Sequence, residues 1–409
     1  MKRYEEYKDS DIVGFHQIPY SWSLEKLKYI ASCNDEVLPE STEIDRTINY
    51  VEIGDVDYVC GITKSTEYNF REAPSRARRI TRPNDVIVST VRTYLKAIAK
   101  VTTTDFIVST GFAVIRPRHI DNDYMAYTLL APPFIEEVMS RSVGVSYPAI
   151  KPSSLMDIKI CVPPLTEQRS IASFLDAKTK PIDDIIAKRE QQIALLEEMK
   201  LAIISRAVTK GLNPEAKMKD SGIEWIGEMP ERWKLGKLKF FIQIRSGDSI
   251  SISDISDEGN YNVYGGGEVL GHSNKYNVED CILIGRVGAR CGYLTDIQER
   301  AWATDNALIL DTAMNKSYCF YLLKAFNLNS LNTSSAQPLI TGTKVRNIII
   351  PIVPSSEQQA IASYLDTETT KIDVRIEKRR KQIALLQEYK HALITDAVTG
   401  KIDVRGFSS

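Results

Sequence analysis

Between Ile182 and Ile203 apolar residues recur at intervals of four, seven, three and seven, as Ile182, Ile186, Ile193, Leu196 and Ile203. That spacing puts them on one face of a helix whose remaining surface is rich in Glu, Lys and Gln. The stripe returns as Ile372, Ile376, Ile383, Leu386 and Leu393, with Arg189 and Arg379, and Gln192 and Gln382, at matching places. A helix with one apolar seam needs a cover for it. The other copy is the obvious one, so the pattern predicts an antiparallel coiled coil. Packing of each helix on its own neighbouring domain is the alternative. A short amphipathic helix ending near Asp176 should precede the first long one, with Pro181 in the first turn, where its missing N–H costs nothing.

Elsewhere the pattern shortens. Strand-like runs such as Asp85-Val-Ile-Val-Ser and Cys281-Ile-Leu-Ile-Gly alternate with Gly/Asn/Ser-rich connections. One helical stretch is expected in each region, near 124–139 and near 318–327. Each region reads as a compact α/β domain with a curved sheet.

Repeats organise these elements. The stretch from Glu167 to Thr209 matches Glu357 to Thr399, 190 positions downstream, at about 25 of 43 positions without a gap. A weaker repeat pairs Lys8 onward with Lys219 onward, setting Pro19 on Pro230, Trp22 on Trp233 and Leu24 on Leu235. The segment from Tyr147 aligns with that from Gln337, and both end in a short β-like run stopped by proline. The domains thus share entrances and exits, and their centres do not align. This layout divides the chain into 1–164, a first globular domain; 165–213, a central helical region; 214–354, a second globular domain; and 355–409, a C-terminal helical region. The fold class expected is α/β (α+β), two globular domains separated by two long helices, with a pseudo-two-fold internal repeat.

Composition narrows the function only by exclusion. With 43% hydrophobic and 26% charged residues the chain reads as an ordinary globular protein. The start lacks an apolar export segment and no window approaches ~18 apolar residues, so a cytoplasmic protein is expected. The six cysteines show no C-x-x-C spacing, and the four histidines (His16, His119, His272, His391) are isolated. No metal site is expected, and the thiols should be free and mostly buried. A net charge of −1 means that any basic footprint must be local.

The motifs are more specific. Pro-Pro-Leu-Thr-Glu-Gln at 163–168, Ile-Ala-Ser-Phe-Leu-Asp at 171–176, Ile-Asp at 182–183, Gln-Ile-Ala-Leu-Leu at 192–196 and Ala-Val-Thr-Lys-Gly at 207–211 recur downstream, ending in Ala-Val-Thr-Gly-Lys-Ile-Asp at 397–403. This set resembles the conserved regions of the DNA-specificity (S) subunit of Type I restriction–modification systems. The resemblance implies two target recognition domains, each reading one half of a bipartite, asymmetric site in double-stranded DNA. It further implies paired helices that fix the spacing, and surfaces that bind two modification subunits. Those subunits would hold S-adenosylmethionine and methylate adenine, while separate restriction subunits translocate and cut DNA. The chain itself would be non-catalytic and bind no cofactor. An estimate from Ile182 to Ala207 gives a helix of about 39 Å, close to the ~34–36 Å between major-groove faces one turn apart.

Candidate DNA contacts fall in the unmatched centres. From Arg71 to Lys100 basic residues far outnumber acidic ones, and Arg76, Arg78, Arg79, Arg92, Tyr94 and Lys96 are the candidates there for phosphate or guanine contacts. In the second domain Arg286 and Arg290 lie among glycines that would allow close backbone approach to a phosphate. His272, Asn274 and Lys275 precede them on a glycine-rich stretch, and the exit loops contribute Tyr147, Lys151 and Lys344. Solvated charge and ordinary turns remain the alternative for each.

Three apparent catalytic signals fail on chemistry. Ala131-Pro-Pro-Phe resembles an amino-methyltransferase motif, but alanine offers no acceptor for the substrate amine. The Gly265-Gly-Gly stretch lacks the Lys-Ser/Thr of a phosphate-binding loop, and no carboxylate cluster suits a metal-dependent nuclease. A DNA reader within a multisubunit enzyme is therefore favoured over a self-contained DNA-modifying enzyme and over a coiled-coil adaptor whose domains bind protein.

Overall fold

The computed structural model describes residues 2–10, 17–102, 105–332 and 338–407. His16 and Gln337, used above, lie outside the described residues. The chain divides into two compact units, one formed by Met1–Arg189 with Lys381–Ser409 and the other by Glu190–Arg380. Each unit combines one globular region with part of each long helix.

In the first unit, one sheet is ordered Ile98–Lys100, Val86–Ser89, Phe112–Pro117, Ala31–Cys33, all antiparallel. Val86–Ser89 is buried at every position, as an interior strand covered on both faces must be. A second sheet runs Thr66–Asn69, Thr47–Val51, Ile107–Ser109, Ala77–Ile80, with the middle pair parallel. The second unit repeats the first sheet as Leu294–Ile297, Cys281–Gly285, Ala307–Thr312, Ile242–Ser246. Its other sheet, Val269–Ser273, Tyr261–Tyr264, Ala301–Ala303, again has a parallel pair, and where the first unit has Ala77–Ile80 it has an isolated antiparallel bridge between Val278 and Ala301. The strand carrying Arg78 and Arg79 is thus reduced to a single bridge in the second unit.

The shared entrances and exits are strand partners. Ser23–Lys26 pairs with Lys159–Val162, and Lys234–Lys237 pairs with Ile349–Ile352. Just before the first strand of each pair a tryptophan is buried, Trp22 and Trp233. Each donates its indole N–H at 3.1 Å to the glutamate of the repeated Glu-Gln pair, Glu167 or Glu357. The adjacent glutamines behave alike: Gln168 accepts from the Asp121 N–H and donates to the Pro163 carbonyl, while Gln358 accepts from Asn315 and donates to Val353. These motif residues therefore act as structural clamps that satisfy buried polar groups.

The helical stretch expected near 124–139 is two helices, Asn122–Leu130 and Pro132–Ser140. Ala131 between them is extended because the residue before a proline avoids the α region, and Pro132 opens the second helix. The stretch expected near 318–327 is one helix, Lys316–Phe326.

Both long helices are longer than their patterns indicate, Leu165–Lys210 and Ser355–Val398. Pro181 lies inside the first and does not begin a new one. The lost hydrogen bond is offset because apolar residues on both sides are buried, Ile171 and Leu175 before it, Ile182 and Ile186 after it. Pro181→Lys, which installs the residue that the repeat carries at Lys371, should stabilise the first unit by about 1–3 kcal/mol. An unchanged or lower midpoint in thermal unfolding would show that the helix already accommodates the ring without loss.

Within each unit the two helical segments lie side by side and antiparallel. In the second unit Glu197 meets Arg380 at 3.3 Å and Lys200 meets Asp373 at 2.6 Å, so numbers rise on one helix as they fall on the other. In the first unit the equivalent pair, Asp183 with Lys390, is also at 2.6 Å. Exposed pairs of this kind contribute only ~0–1 kcal/mol, so they set register more than stability. Of the seam residues, Ile182, Ile186, Ile372, Ile376 and Leu393 are buried, whereas Ile193, Leu196, Ile203, Ile383 and Leu386 are half-buried. The helix ends do something else. Leu393, Ile394, Ala397 and Val398 join the core of the first unit, and Ile204, Ala207 and Val208 join that of the second. Pairing and packing on a domain thus both occur, on successive turns.

A left-handed glycine follows each helix, Gly211 directly after Lys210 and Gly400 two residues after Val398, one place apart in the repeat. A side chain at Gly211 would press on Trp233, and one at Gly400 on Pro19 and Trp22. All cysteines are free; Cys161, Cys281, Cys291 and Cys319 are buried, Cys33 is half-buried and Cys60 exposed. Among the described residues no helix is long and apolar enough to cross a membrane.

Candidate nucleic-acid interface

The central strands Val86–Ser89 and Cys281–Gly285 lead into turns with matching backbone bonds and matching left-handed positions, their 3-10 segments one residue out of step, although their sequences share little. Ser89 and Gly285 take the N–H side of bonds to the carbonyls of Ala97 and Tyr293, at 2.9 and 2.8 Å. Thr90 and Arg286 donate to Gly111 and Asn306, and their carbonyls accept from Ile150 and Ile340. Val91 bridges to Ala149 as Val287 bridges to Leu339. A single 3-10 turn follows in each, Thr93–Leu95 and Gly288–Arg290.

Two positions in this turn have left-handed backbone. In the second unit glycines occupy them, Gly288 and Gly292, at φ 70° and 82°. In the first unit the same places hold Arg92 and Lys96, at φ 51° and 52°. A long side chain in the left-handed region is strained by roughly 1–2 kcal/mol. The turn tolerates that because flanking backbone bonds over-determine it, and strain of this kind clusters at functional sites. Between the two left-handed residues stands Tyr94 in one unit and Arg290 in the other, both exposed.

Around the first turn, the Arg92 guanidinium lies 5.1 Å from the Tyr147 ring centre, and the Lys96 ammonium 5.9 Å from that of Tyr58. Lys151 follows Ile150 directly and is exposed. Arg92 and Tyr147 are thus partners at this turn, Lys96 lies over Tyr58, and Tyr94 and Lys151 are free to reach solvent. Around the second turn, Arg290 lies 5.2 Å from the Tyr293 ring and 3.5 Å from a Glu268 oxygen. Neither Tyr293 nor Glu268 stands out in the sequence, because a lone aromatic and a lone carboxylate carry no spacing signal.

The other candidates lie elsewhere or are engaged. Arg76 is exposed beside the strand Ala77–Ile80, and Arg78 stacks 4.9 Å from Phe70. Arg79 is half-buried, with one guanidinium nitrogen buried and unbonded, and burial lowers its proton affinity. His272 has a buried, unbonded Nδ1, Asn274 accepts from the Asn260 N–H, and Lys275 is paired with Asp254 at 2.9 Å. Arg286 reaches Ser246 at 3.3 Å, and Lys344 donates to the Leu331 carbonyl at 2.8 Å. The basic run of the first domain is likewise divided: Arg82 pairs with Glu36, and Lys100 with Asp123.

A family model described as the Type I restriction modification DNA specificity domain matches residues 50–195 and 230–385, which is most of the chain. The chain belongs to that family. The specificity subunit of Methanocaldococcus jannaschii named for Type I restriction enzyme MjaVIII is 28% identical over 320 residues, covering 71% of this chain and 72% of the relative. The MjaIX specificity subunit of the same organism is 22% identical over 438 residues, covering 98% and 97%. A chain of a solved type I R-M system has a TM-score of 0.66 at 22% identity, covering 95% of this chain and 100% of that one. That likeness concerns the fold. As a Type I specificity subunit the protein is a non-catalytic DNA-recognition component of a restriction–modification complex.

Proposed function

We propose that each globular domain of this specificity subunit reads one half of a bipartite DNA site from its equivalent turn, with the paired helices setting the gap and docking two modification subunits. One observation carries the reading: the same backbone turn presents Arg92, Tyr94 and Lys96 in one domain and a lone Arg290 between glycines in the other. Two readers of different half-sites need this arrangement, an invariant frame bearing different donors. Arginine matches guanine O6 and N7 in two hydrogen bonds, while lysine and tyrosine serve phosphates and bases less selectively. Arg78, Asn274, Lys275, Arg286 and Lys344 are proposed at most as phosphate contacts or supports, given their internal partners, as are the half-buried Arg79 and His272 and, away from the turn, Arg76. The helices offer docking surface in the matched pairs Leu195 with Leu385 and Met199 with Tyr389, all exposed apolar residues at equivalent positions. Function with cytoplasmic DNA and separate restriction subunits completes the proposal.

The test lengthens both helices by four residues, after Arg189 and after Arg380, where the two units divide. Each insertion adds about 6 Å of helix. At ~3.4 Å per base pair the unread gap should grow by one or two base pairs, with both half-sites unchanged. Sequencing of methylated adenines in cells expressing the whole system reads this directly. A changed half-site, with the gap preserved, would remove the spacing role.

A further inference from the structure

The exit loop of the first domain, Arg141-Ser-Val-Gly-Val-Ser-Tyr-Pro-Ala, holds two strongly exposed valines. Val145 is 102% exposed and Val143 80% exposed, and Tyr147 beside them is 66% exposed. Single exposed valines are ordinary. Here Tyr94 and Leu95 of the adjoining turn, which the Thr93–Ser142 bond ties to this loop, are also about half-exposed, so the neighbourhood offers several exposed apolar side chains.

The loop is held firmly. Val143 and Ala149 exchange both backbone hydrogen bonds, at 2.9 and 3.0 Å. Ser142 and Thr93 hydroxyls bond at 2.8 Å, and Val91 bridges to Ala149. Gly144 makes the bend at φ 115°, where an added Cβ would stand 3.1 Å from the Tyr147 carbonyl oxygen. Valine itself has few side-chain rotamers to lose on contact.

The surroundings identify what the face would meet. The segments 86–102 and 138–156 contain no acidic residue, and they carry Arg92, Lys96, Lys100, Arg141 and Lys151. Lys100 and Arg141 have carboxylate partners, Asp123 and Glu137. Arg92, Lys96 and Lys151 make no ion pair among the described residues. A protein groove that accepts an aliphatic tip does not require a collar of unpaired cations. A duplex does, because phosphates flank every base step into which an apolar side chain could enter.

We propose that the 142–148 loop is a wedge, with Val143 and Val145 entering between stacked base pairs of the half-site read by the first domain while Lys96 and Lys151 hold the flanking phosphates and Arg92 keeps its base-reading place. This rests on the DNA-reading role proposed above. The wedge adds specificity without a base-edge hydrogen bond, since the energy of opening a step depends on which bases form it.

The experiment uses the full chain in complex with its modification subunits. Fluorescent duplexes carry the methylated site found in cells, either fully paired or with one mismatch placed at successive steps of the first half-site. V143A/V145A should bind the paired duplex about tenfold more weakly and recover most of that loss on the duplex whose mismatched step is already unstacked. 2-Aminopurine at that step should brighten with the parent complex and not with the variant. Equal weakening on paired and mismatched duplexes, or no change on either, overturns the wedge while leaving the DNA-reading role intact. Tighter binding by V145K overturns it too, since the loop would then act through charge alone. Loss of modification subunits from V143A/V145A in sedimentation, with unaltered DNA affinity in the remaining complex, would assign the face to a protein contact instead. Failure of the parent complex to bind any duplex at low salt overturns the DNA-reading role, and the wedge with it.

Discussion

Replacing Trp22 by alanine should destabilise the first unit by about 3–5 kcal/mol, the range for removing a large buried aromatic side chain. Trp22 is fully buried, and its indole N–H is a donor to Glu167. The substitution leaves a cavity and also deprives a buried carboxylate of one partner, and a group left unsatisfied adds to the loss. Tyr4 still donates to Glu167, which keeps the carboxylate from being stranded altogether. Trp233→Ala should act equally in the second unit, through Glu357. Hydrogen exchange on the two variants decides the matter: each should lose protection mainly in its own unit. A uniform loss across both units in each variant would mean that the units do not unfold separately.

Arg92→Gly and Arg290→Ala should each weaken binding to the matched duplex by about 10- to 100-fold, the ~1–3 kcal/mol of a bidentate guanine contact. The two should nonetheless differ in stability. Arg92→Gly installs in the first turn the residue that the second turn already has, and it relieves the left-handed strain at φ 51°, so its unfolding midpoint should hold or rise. Better folding with poorer binding would mark the strain as serving recognition. Competition with duplexes altered in one half at a time assigns each arginine to its half-site. Equal weakening on every sequence, with a shallower salt dependence, would make both residues phosphate contacts instead.

Different parts of the molecule were legible to different degrees. Periodicity located both long helices, since a single buried stripe among Glu and Lys admits few other readings. It misjudged the start of the first, because Pro181 is a local stop signal that burial of Ile171, Leu175, Ile182 and Ile186 overrides. The Glu-Gln motif announced itself by repetition, yet its work as a clamp on Trp22 and Trp233 depends on partners about 125–145 residues away. Local pattern does not encode such partners.

The interface was harder still. Arg92 and Arg290 belong to turns that do not align in sequence, because Arg92 and Lys96 in one stand where the other has glycine. A turn is defined by backbone angles and hydrogen bonds, and different residues meet those conditions at different energetic cost. Arg79 and His272 looked as promising as Arg92, since type and neighbours were all there was to judge them by. Burial and partners separate them.

By itself, then, the sequence determined the duplication, the helices and the family, since these rest on periodicity and repeated words that survive in one dimension. Only the tertiary structure decided that two dissimilar loops are one turn, that the strand Ala77–Ile80 shrinks to a single bridge in the second unit, and that two valines stand clear of the surface. Exposure, strain and side-chain partnership arise when distant segments fold together, and the linear order of residues does not contain them.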